Sequence, residues 1–598
     1  MTAKEKRYSF LFEGSSVLKI NIIEIKRRTR FVIILRVVAA LASIFLFYQY
    51  LRMGLDWPLY LSLIFLGFFV FLVRWYFNLK EKLATERALL AEYKMELDYL
   101  KGELPALDAS ARLDISTHPF AQDLNLFGPR SLYHHLNRSF SEDGGRIIQE
   151  DLANQTVLLE LEERQEALRE LKEKEEFLLK FRSLGRGIDM RSAKVYQLIE
   201  RWKEEPLSKI SWFLRSMMLI GQAFMIFALS SFLINPEVAT FKILNYAFIL
   251  NLLIFFSQFK RLQKQHQLLD KLSGAMQRYG RLILHLEKHS FQSPGLKKHL
   301  VILNSELKAS ESLLQLSKLL GSLEQMANVV VLIFLNGLFH YHLHRFHSLA
   351  KWKIKHAHKL SRWLDVTVQF ELLSSYANYI QNHPQYTWPQ KTKAPTLIAK
   401  EMSHPLLPVE QSVSNSYSFN DFRQMILTGS NMSGKSTFLR TIGLNLVLAK
   451  RGLTVAAKDF AFYPFQVLSS MNPSDNIHEN TSYFQAEIIR LKGLLNSINQ
   501  ENTSLLLLDE ILRGTNSQDK KEGTRLFLEK IANLNCIGIV ATHDVDISNL
   551  RQESSDIFAA YYFESTVEGG ELKFDYKLRE GVCLTPNATS LMRNYGII

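Results

Sequence analysis

Nine residues limit what this chain can fold into more than any others: Gly429-Ser-Asn431-Met432-Ser433-Gly434-Lys435-Ser436-Thr437. The run before them (MILT) is apolar and strand-like, and the run after them (FLRTIGLNLVLAK) has helical spacing. A glycine-rich turn between a strand and a helix is a phosphate-binding loop. Its glycines let successive backbone N–H groups close around phosphate oxygens at the helix N-terminus. In that reading Lys435 reaches the β- and γ-phosphates and the Ser436 hydroxyl ligates Mg2+. The chain must then contain a parallel sheet covered by crossover helices.

Two further strands supply the remaining chemistry. Ser504-Leu-Leu-Leu-Leu-Asp509-Glu510 ends a leucine strand in two carboxylates. The carboxyl edge of such a sheet is where ligands sit. Asp509 is expected to hold Mg2+ through water, and Glu510 to polarise the attacking water. A third strand, IGIVATHD, brings His543 to the same edge, where it senses the γ-phosphate or orients the water. Three strand-end groups in this order indicate an ABC-like ATPase that uses ATP and Mg2+, with Glu510 and His543 catalytic.

The N-terminal part is apolar on a different scale. Phe31 to Tyr50 (FVIILRVVAALASIFLFYQY) has the ~20 residues a spanning helix needs, with Arg36 near one end able to snorkel, and Pro58 to Val73 (PLYLSLIFLGFFVFLV) reaches that length only when Trp75 to Phe77 are included. The connecting LRMGLDW is too short to hold a domain, so the two form a hairpin. A second pair is expected at Trp212 to Ile234 and Ile243 to Ser257, joined by NPEVA. Lys26, Arg27, Arg28, Arg30, Arg74, Lys80 and Lys82 flank the first hairpin, and Lys203, Lys209, Lys260, Arg261 and Lys264 the second. The positive-inside rule then places both termini and all large segments in the cytoplasm, beneath the inner (cytoplasmic) membrane. The same basic residues feed the net charge of +13, which suits nucleic acid and acidic lipid equally. Cys536 and Cys583 form no disulfide or metal framework, and the N-terminus carries no expected cleavable signal.

Between and after the hairpins, leucines at helical spacing with alternating charge indicate long helical arms. Val329 to Phe339 is too short to span and is expected to be a buried helix. His340, His342, His344 and His347 follow it, but no carboxylate or thiolate stands at ligand spacing, so they read as a basic helix. The expected layout is a membrane hairpin over 1–82, an arm and the start of a core over 83–210, a second hairpin over 211–258, a helical lever over 259–393 and the ATPase over 394–598.

The details resemble one branch of these ATPases, the MutS family of DNA mismatch repair. GSNMSGKSTFLRTIG is similar to its P-loop, DEILRGTNSQD to its Walker B segment with Arg513-Gly514-Thr515, and ATHD to its histidine loop. Thr481-Ser482-Tyr-Phe484-Gln-Ala-Glu487 resembles the signature segment, whose serine, phenylalanine and glutamate contact the opposing subunit's nucleotide. His118 to Leu152 resembles the start of the MutS core, and Leu335 to Pro389 the helices leading into the ATPase. The fold implied is multidomain: membrane hairpins, a long-helix MutS-like core, then an α/β P-loop domain. The resemblance also implies a homodimer with composite ATP sites, and double-stranded DNA as partner beside the lipid bilayer.

Several departures bear on function. Asn480 and Thr481 stand where glycine and arginine are usual, and Leu512 where glycine is usual. The residues given before His118 are expected to be mostly membrane hairpin and one helical arm rather than a mismatch-reading domain, and Phe140-Ser-Glu142 matches the mismatch wedge tripeptide only inside core-like helix. The second hairpin falls where MutS would insert its DNA clamp, and no nuclease segment is expected after YKLREGV. The alternative to a DNA sensor is therefore a membrane-anchored MutS-type ATPase acting on a protein partner. An ABC transporter would need more contiguous spans and an LSGGQ-like signature.

Overall fold

The computed structural model describes residues 1–106, 118–156, 160–187, 192–207, 210–269, 272–304, 308–419, 423–430, 432–471, 483–498, 503–512, 516–553, 556–568 and 571–582. Two long helices open the chain, α1 (Ala3–Met53) and α2 (Trp57–Leu100). A Thr2–Glu5 capping box starts α1, and Gly54, left-handed at φ 65°, ends it. Along the apolar half of the pair the seam is small and aliphatic (Val32, Ala39, Leu72, Leu79). Ser43 and Ser62 close it by donating to each other's carbonyls at 3.0 and 2.9 Å. Ile34, Leu41, Phe45, Phe68 and Phe71 point outward. The Arg36 guanidinium lies over the Tyr76 ring at 4.8 Å. The helix runs through residues 82 and 83 without a break, so span and arm are one rod.

The arms dock on a helical core through buried charge. This core comprises α3 (Leu132–Leu136), α4 (Glu142–Ala153), α5 (Leu161–Lys172), α6 (Glu175–Arg186) and α7 (Ser192–Glu204). After the second hairpin it continues with α10 to α15, given below. Glu96 of α2 accepts from Arg138 Nε at 2.8 Å and from Asn378 and Asn382 at 3.1 Å each. Glu92 accepts from Arg182 Nε at 2.9 Å, and Arg7 donates to the Asn378 side chain at 3.0 Å. Burial alone would raise the Glu96 carboxyl, but Arg138, Arg182 and Arg7 outweigh it and hold it well below the carboxylate range.

The second hairpin is α8 (Trp212–Ile234) and α9 (Val238–Phe256). The return helix begins at Val238 rather than Ile243, because Glu237 and Thr240 form a capping box there. Beyond it lie α10 (Phe259–Leu269), α11 (Leu272–Glu287), α12 (Pro294–Leu303), α13 (Ala309–Glu324), α14 (Val329–Phe339) and α15 (Tyr341–Asn382). Among the described residues, four helices, α1, α2, α8 and α9, are long and apolar enough to cross a bilayer. The expectation that Val329 to Phe339 is buried fails. Val329, Val330, Phe334 and Phe339 are exposed, and only Leu332, Asn336 and Gly337 are enclosed.

The C-terminal part is α/β. A small sheet, ordered β1-β5-β2-β3, contains β1 (Gln390–Lys391), β2 (Leu397–Met402), β3 (Asn415–Ser418) and β5 (Asp459–Phe462). The main sheet adds β4 (Gln424–Thr428), β6 (Gln466–Ser470), β7 (Ser504–Asp509), β8 (Cys536–Thr542), β9 (Phe558–Glu568) and β10 (Glu571–Glu580), in the order β10-β9-β4-β8-β7-β6. Its strands are parallel except β10, and β4, β7 and β8 are buried on both faces, as continuous apolar runs require. Helices α16 (Lys435–Lys450), α17 (Tyr483–Ser497), α18 (Ser517–Ala532) and the short α19 (Leu550–Glu553) complete the domain. One hydrophobic core runs from Trp363 of α15 and Leu124 in the turns before α3 to Leu439 of α16 and Leu505 of the sheet.

Candidate functional site

Strand register sets the site. Thr428 of β4 lies beside Thr542 of β8, and Asp509 of β7 beside Ala541. The residues that follow these strands (Gly429, Glu510 and His543) therefore leave the sheet at one edge. Gly429 and Gly434 have φ of 150° and 102°. A Cβ at Gly429 would come within 2.8 Å of Ser433 Oγ and 2.9 Å of the Phe563 carbonyl, so only glycine lets the loop close here. The loop ends on the N-terminus of α16, a helix buried along most of its length.

Lys435 is buried and donates to the carbonyls of Gly429 and Ser430 at 2.8 and 2.9 Å. Ser436 Oγ donates to Asp509 Oδ2 at 2.5 Å. His543 Nδ1 donates to the Gly429 carbonyl at 2.9 Å, and its Nε2 meets Glu510 Oε1. Ser433 is buried beneath the loop, and Thr437 faces the adjoining cleft. Met432, left-handed at φ 66° and 84% exposed, forms the loop's tip. Asn431 and Ser482 lie outside the described residues, as do Asn480, Thr481 and Arg513-Gly514-Thr515. The other residues expected to hold nucleotide or Mg2+ or to act in catalysis meet around one loop.

The site fits a magnesium nucleotide on its own geometry. The cradle excludes a Cβ, a buried ammonium lies against the loop, and a hydroxyl and a carboxylate touch where a divalent cation would be held. The cleft beside it, of about 580 Å³, was not legible in the sequence. Met402, His404, Val413, Phe438, Phe563 and Tyr576 line it. Tyr576 lies so near Gly434 that an added Cβ would be 3.0 Å from its ring. Asn415 fixes this wall: its amide donates to the Tyr576 carbonyl at 3.0 Å and its oxygen accepts from Leu578 N at 2.8 Å. Burial, with Arg440 nearby, pushes the His404 imidazole down to about 4, so it faces the cleft neutral. No motif marks Phe563 and Tyr576, because only the pairing of β9 with β4 brings the C-terminal hairpin to the loop.

Two further features tie the loop to its surroundings. Glu510 and Leu512 are left-handed, at φ 48° and 62°. Leu512 thus occupies a conformation suited to glycine, at a steric cost of roughly 1–2 kcal/mol. Its amide donates to Glu487 Oε1 at 2.7 Å, so Glu487 of α17 is buried and turned inward onto this loop. At the far end of α16, Lys450 donates to the Phe465 carbonyl at 2.7 Å and also to Gln155, while Arg451 donates to the carbonyls of Asp151 (3.0 Å) and Thr156. The phosphate-loop helix is therefore clamped to the helical core.

Residues 425–596 match the family model described as MutS domain V. The chain is 30% identical over 253 residues to a "DNA mismatch repair protein MutS" of Methanosarcina mazei, covering 40% of this chain and 27% of that protein. It is 33% identical over 214 residues to a "MutS protein homolog 4" of Candida albicans, covering 35% and 26%, and 28% identical over 253 residues to the human "MutS protein homolog 4", covering 41% and 25%. The match spans about a quarter of the length of these relatives, and the part of the chain that carries the phosphate loop is similar to MutS domain V.

Proposed function

We propose that this chain is a membrane-tethered, MutS-like ATPase. It binds and hydrolyses ATP with Mg2+, acts as a homodimer with composite sites, and engages double-stranded DNA from the cytoplasmic face of the inner membrane. The observation that carries the reading is the convergence of Lys435, the Ser436–Asp509 contact and the Glu510–His543 pair on one glycine-rich loop. Lys435 holds the terminal phosphates, and Ser436 and Asp509 are placed to hold the cation. Mg2+ held there would supply charge neutralisation to the phosphates. Glu510 takes the proton of the attacking water, and His543, anchored by the Gly429 carbonyl, keeps that carboxylate over the loop. The exposed Met432 tip is a surface through which a second subunit completes the site, and the resemblance gives Ser482 the contact with the opposing subunit's nucleotide.

The test is turnover by detergent-purified protein together with its binding to matched, mismatched and branched DNA, with and without ATP, at two salt concentrations. ATP hydrolysis with a nucleotide-dependent preference for one DNA structure supports the reading. Hydrolysis without DNA binding, beyond a weak salt-sensitive background, moves the search to a protein partner. One observation favours that second reading: residues 212–256 form an apolar helical hairpin where the resemblance places a DNA clamp.

A further inference from the structure

The exposed apolar helix α14 is not explained by nucleotide chemistry or by the two hairpins. Every residue of VVVLIFLNGLF is apolar except Asn336, yet Val330 and Phe334 are 65% and 58% exposed on its outer face. The inner face packs on the second hairpin. A Cβ at Gly337 would come within 2.2 Å of the Phe248 ring, and Phe334 meets the same ring at 6.2 Å. The helix departs from the α13 direction by 113°, then stops at His340, whose φ of 47° reverses the chain into α15. Leu338, beside that reversal, packs among Met225, Ala228, Leu244 and Ala247. Gln222 and Met225 lie midway along α8. The returning helix passes Phe255 with His342 and places Phe346 under the Arg261 guanidinium, at the basic end of the hairpin.

The hydrogen bonds of the reversal decide what surrounds it. A helix end leaves carbonyls and N–H groups without intrahelical partners, and in water the solvent satisfies them. In hydrocarbon the protein must do so, because each unsatisfied group costs several kcal/mol. Here Asn251 of α9 donates its amide to the Gly337 carbonyl at 2.8 Å, and Gln222 of α8 donates to the Phe339 carbonyl at 2.8 Å. Asn336 accepts from the His342 amide at 3.0 Å, capping the first turn of α15. These polar side chains, set in apolar helices, serve the turn, which is how polar groups act between membrane helices. From Gln325 to Leu364 the sequence has no Asp or Glu, and Arg345, Lys351 and Lys355 are exposed on α15 beyond the apolar zone. That charge suits the headgroups of an anionic leaflet.

We propose that α14 and the first turn of α15 form a re-entrant hairpin that enters the bilayer beside α8 and α9 and turns back midway, its outer face covered by acyl chains. This rests on the reading that α8 and α9 lie in the membrane. It plants the N-terminus of α15 in lipid, while the same unbroken helix, about 63 Å long at 1.5 Å per residue, ends at Asn382 just before the first strand of the nucleotide-binding part.

Site-directed spin labelling of the full chain tests it, with Cys583→Ser and the buried Cys536 retained. Labels at Val330→Cys and Phe334→Cys are examined in phosphatidylcholine–phosphatidylglycerol vesicles for collision with oxygen and with a water-soluble nickel chelate. Phe227→Cys on the exposed face of α8 and Lys355→Cys serve as the lipid and water references. The expected result is oxygen access with loss of nickel access at 330 and 334, as at 227 and opposite to 355. Nickel access at both 330 and 334 with 227 protected overturns the re-entrant hairpin and leaves the membrane anchor standing. Nickel access at 227 as well overturns both.

Discussion

At the scale of single residues, the proposed roles separate binding from turnover. Lys435 lies against the loop, whereas Glu510 sits beyond it, held by His543. Glu510→Gln should therefore bind ATP with little change in affinity but hydrolyse it on the order of a hundred- to ten-thousand-fold more slowly, the usual contribution of a positioned base. Fluorescent-nucleotide titration and single-turnover hydrolysis check the two halves, and wild-type turnover would refute the assigned base. Tyr576 predicts the complementary behaviour. Its ring forms a wall of the cleft next to Gly434, so Tyr576→Ala should weaken nucleotide binding by roughly tenfold, as loss of a base-stacking aromatic does. An unchanged Kd would remove the base from that wall.

At the scale of elements, the buried charges of α2 matter most. Glu92 and Glu96 have fully enclosed side chains and bind arginines from the core helices. A buried pair of this kind is weak evidence for net stability, because desolvation offsets attraction. Removing one partner is different, since the other charge is left buried and alone. Glu96→Ala should cost about 3–5 kcal/mol by leaving Arg138 without its carboxylate. Denaturant unfolding in detergent measures this, and a loss below about 1 kcal/mol would mean that water reaches the site. The same network makes the apolar hairpin and its arm one mechanical unit with α15, through Asn378 and Asn382.

At the scale of the whole molecule, acid should act through histidines kept neutral. Burial pushes the imidazoles of His285, His383 and His404 down to about 4 and that of His135 to about 3. A base with a lowered folded-state pKa binds fewer protons folded than unfolded between that value and its ordinary 6.5. Stability then rises with pH across this window and is lost as pH falls through it. Glu371, pushed up to about 7 by burial, works in the opposite sense and offsets part of the effect. Thermal unfolding in detergent should show the midpoint falling from pH 6.5 toward 4, with a shallower slope in His383→Asn. A midpoint that holds or rises would mean that Glu371 outweighs the histidines. The proposed membrane attachment is tested at the same scale: alkaline carbonate should leave the protein in the membrane fraction, and release would return the hairpins to a soluble core.

The sequence alone determined the features that depend on local periodicity and on short motifs. The glycines of 429 and 434, the leucine strand ending at Asp509 and the apolar runs of the first hairpin are each written within a few turns of chain, because neighbouring residues create the constraint. Leu512 stood out where glycine is usual, and its left-handed backbone gives the physical reason. Tertiary structure alone decided whatever depends on distant segments meeting. Tyr576 reaches the loop because β9 pairs with β4, more than a hundred residues away in sequence. Glu96 finds Arg138 and Asn378 only when α2 lies on the core. The apolar run 329–339 fits a buried core helix and a lipid-facing one equally well, since composition records that a surface avoids water and not what covers it. What the sequence could not show is its place against α8 and α9, with the reversal at His340 capped by their amides, and the proposed lipid contact rests on that arrangement.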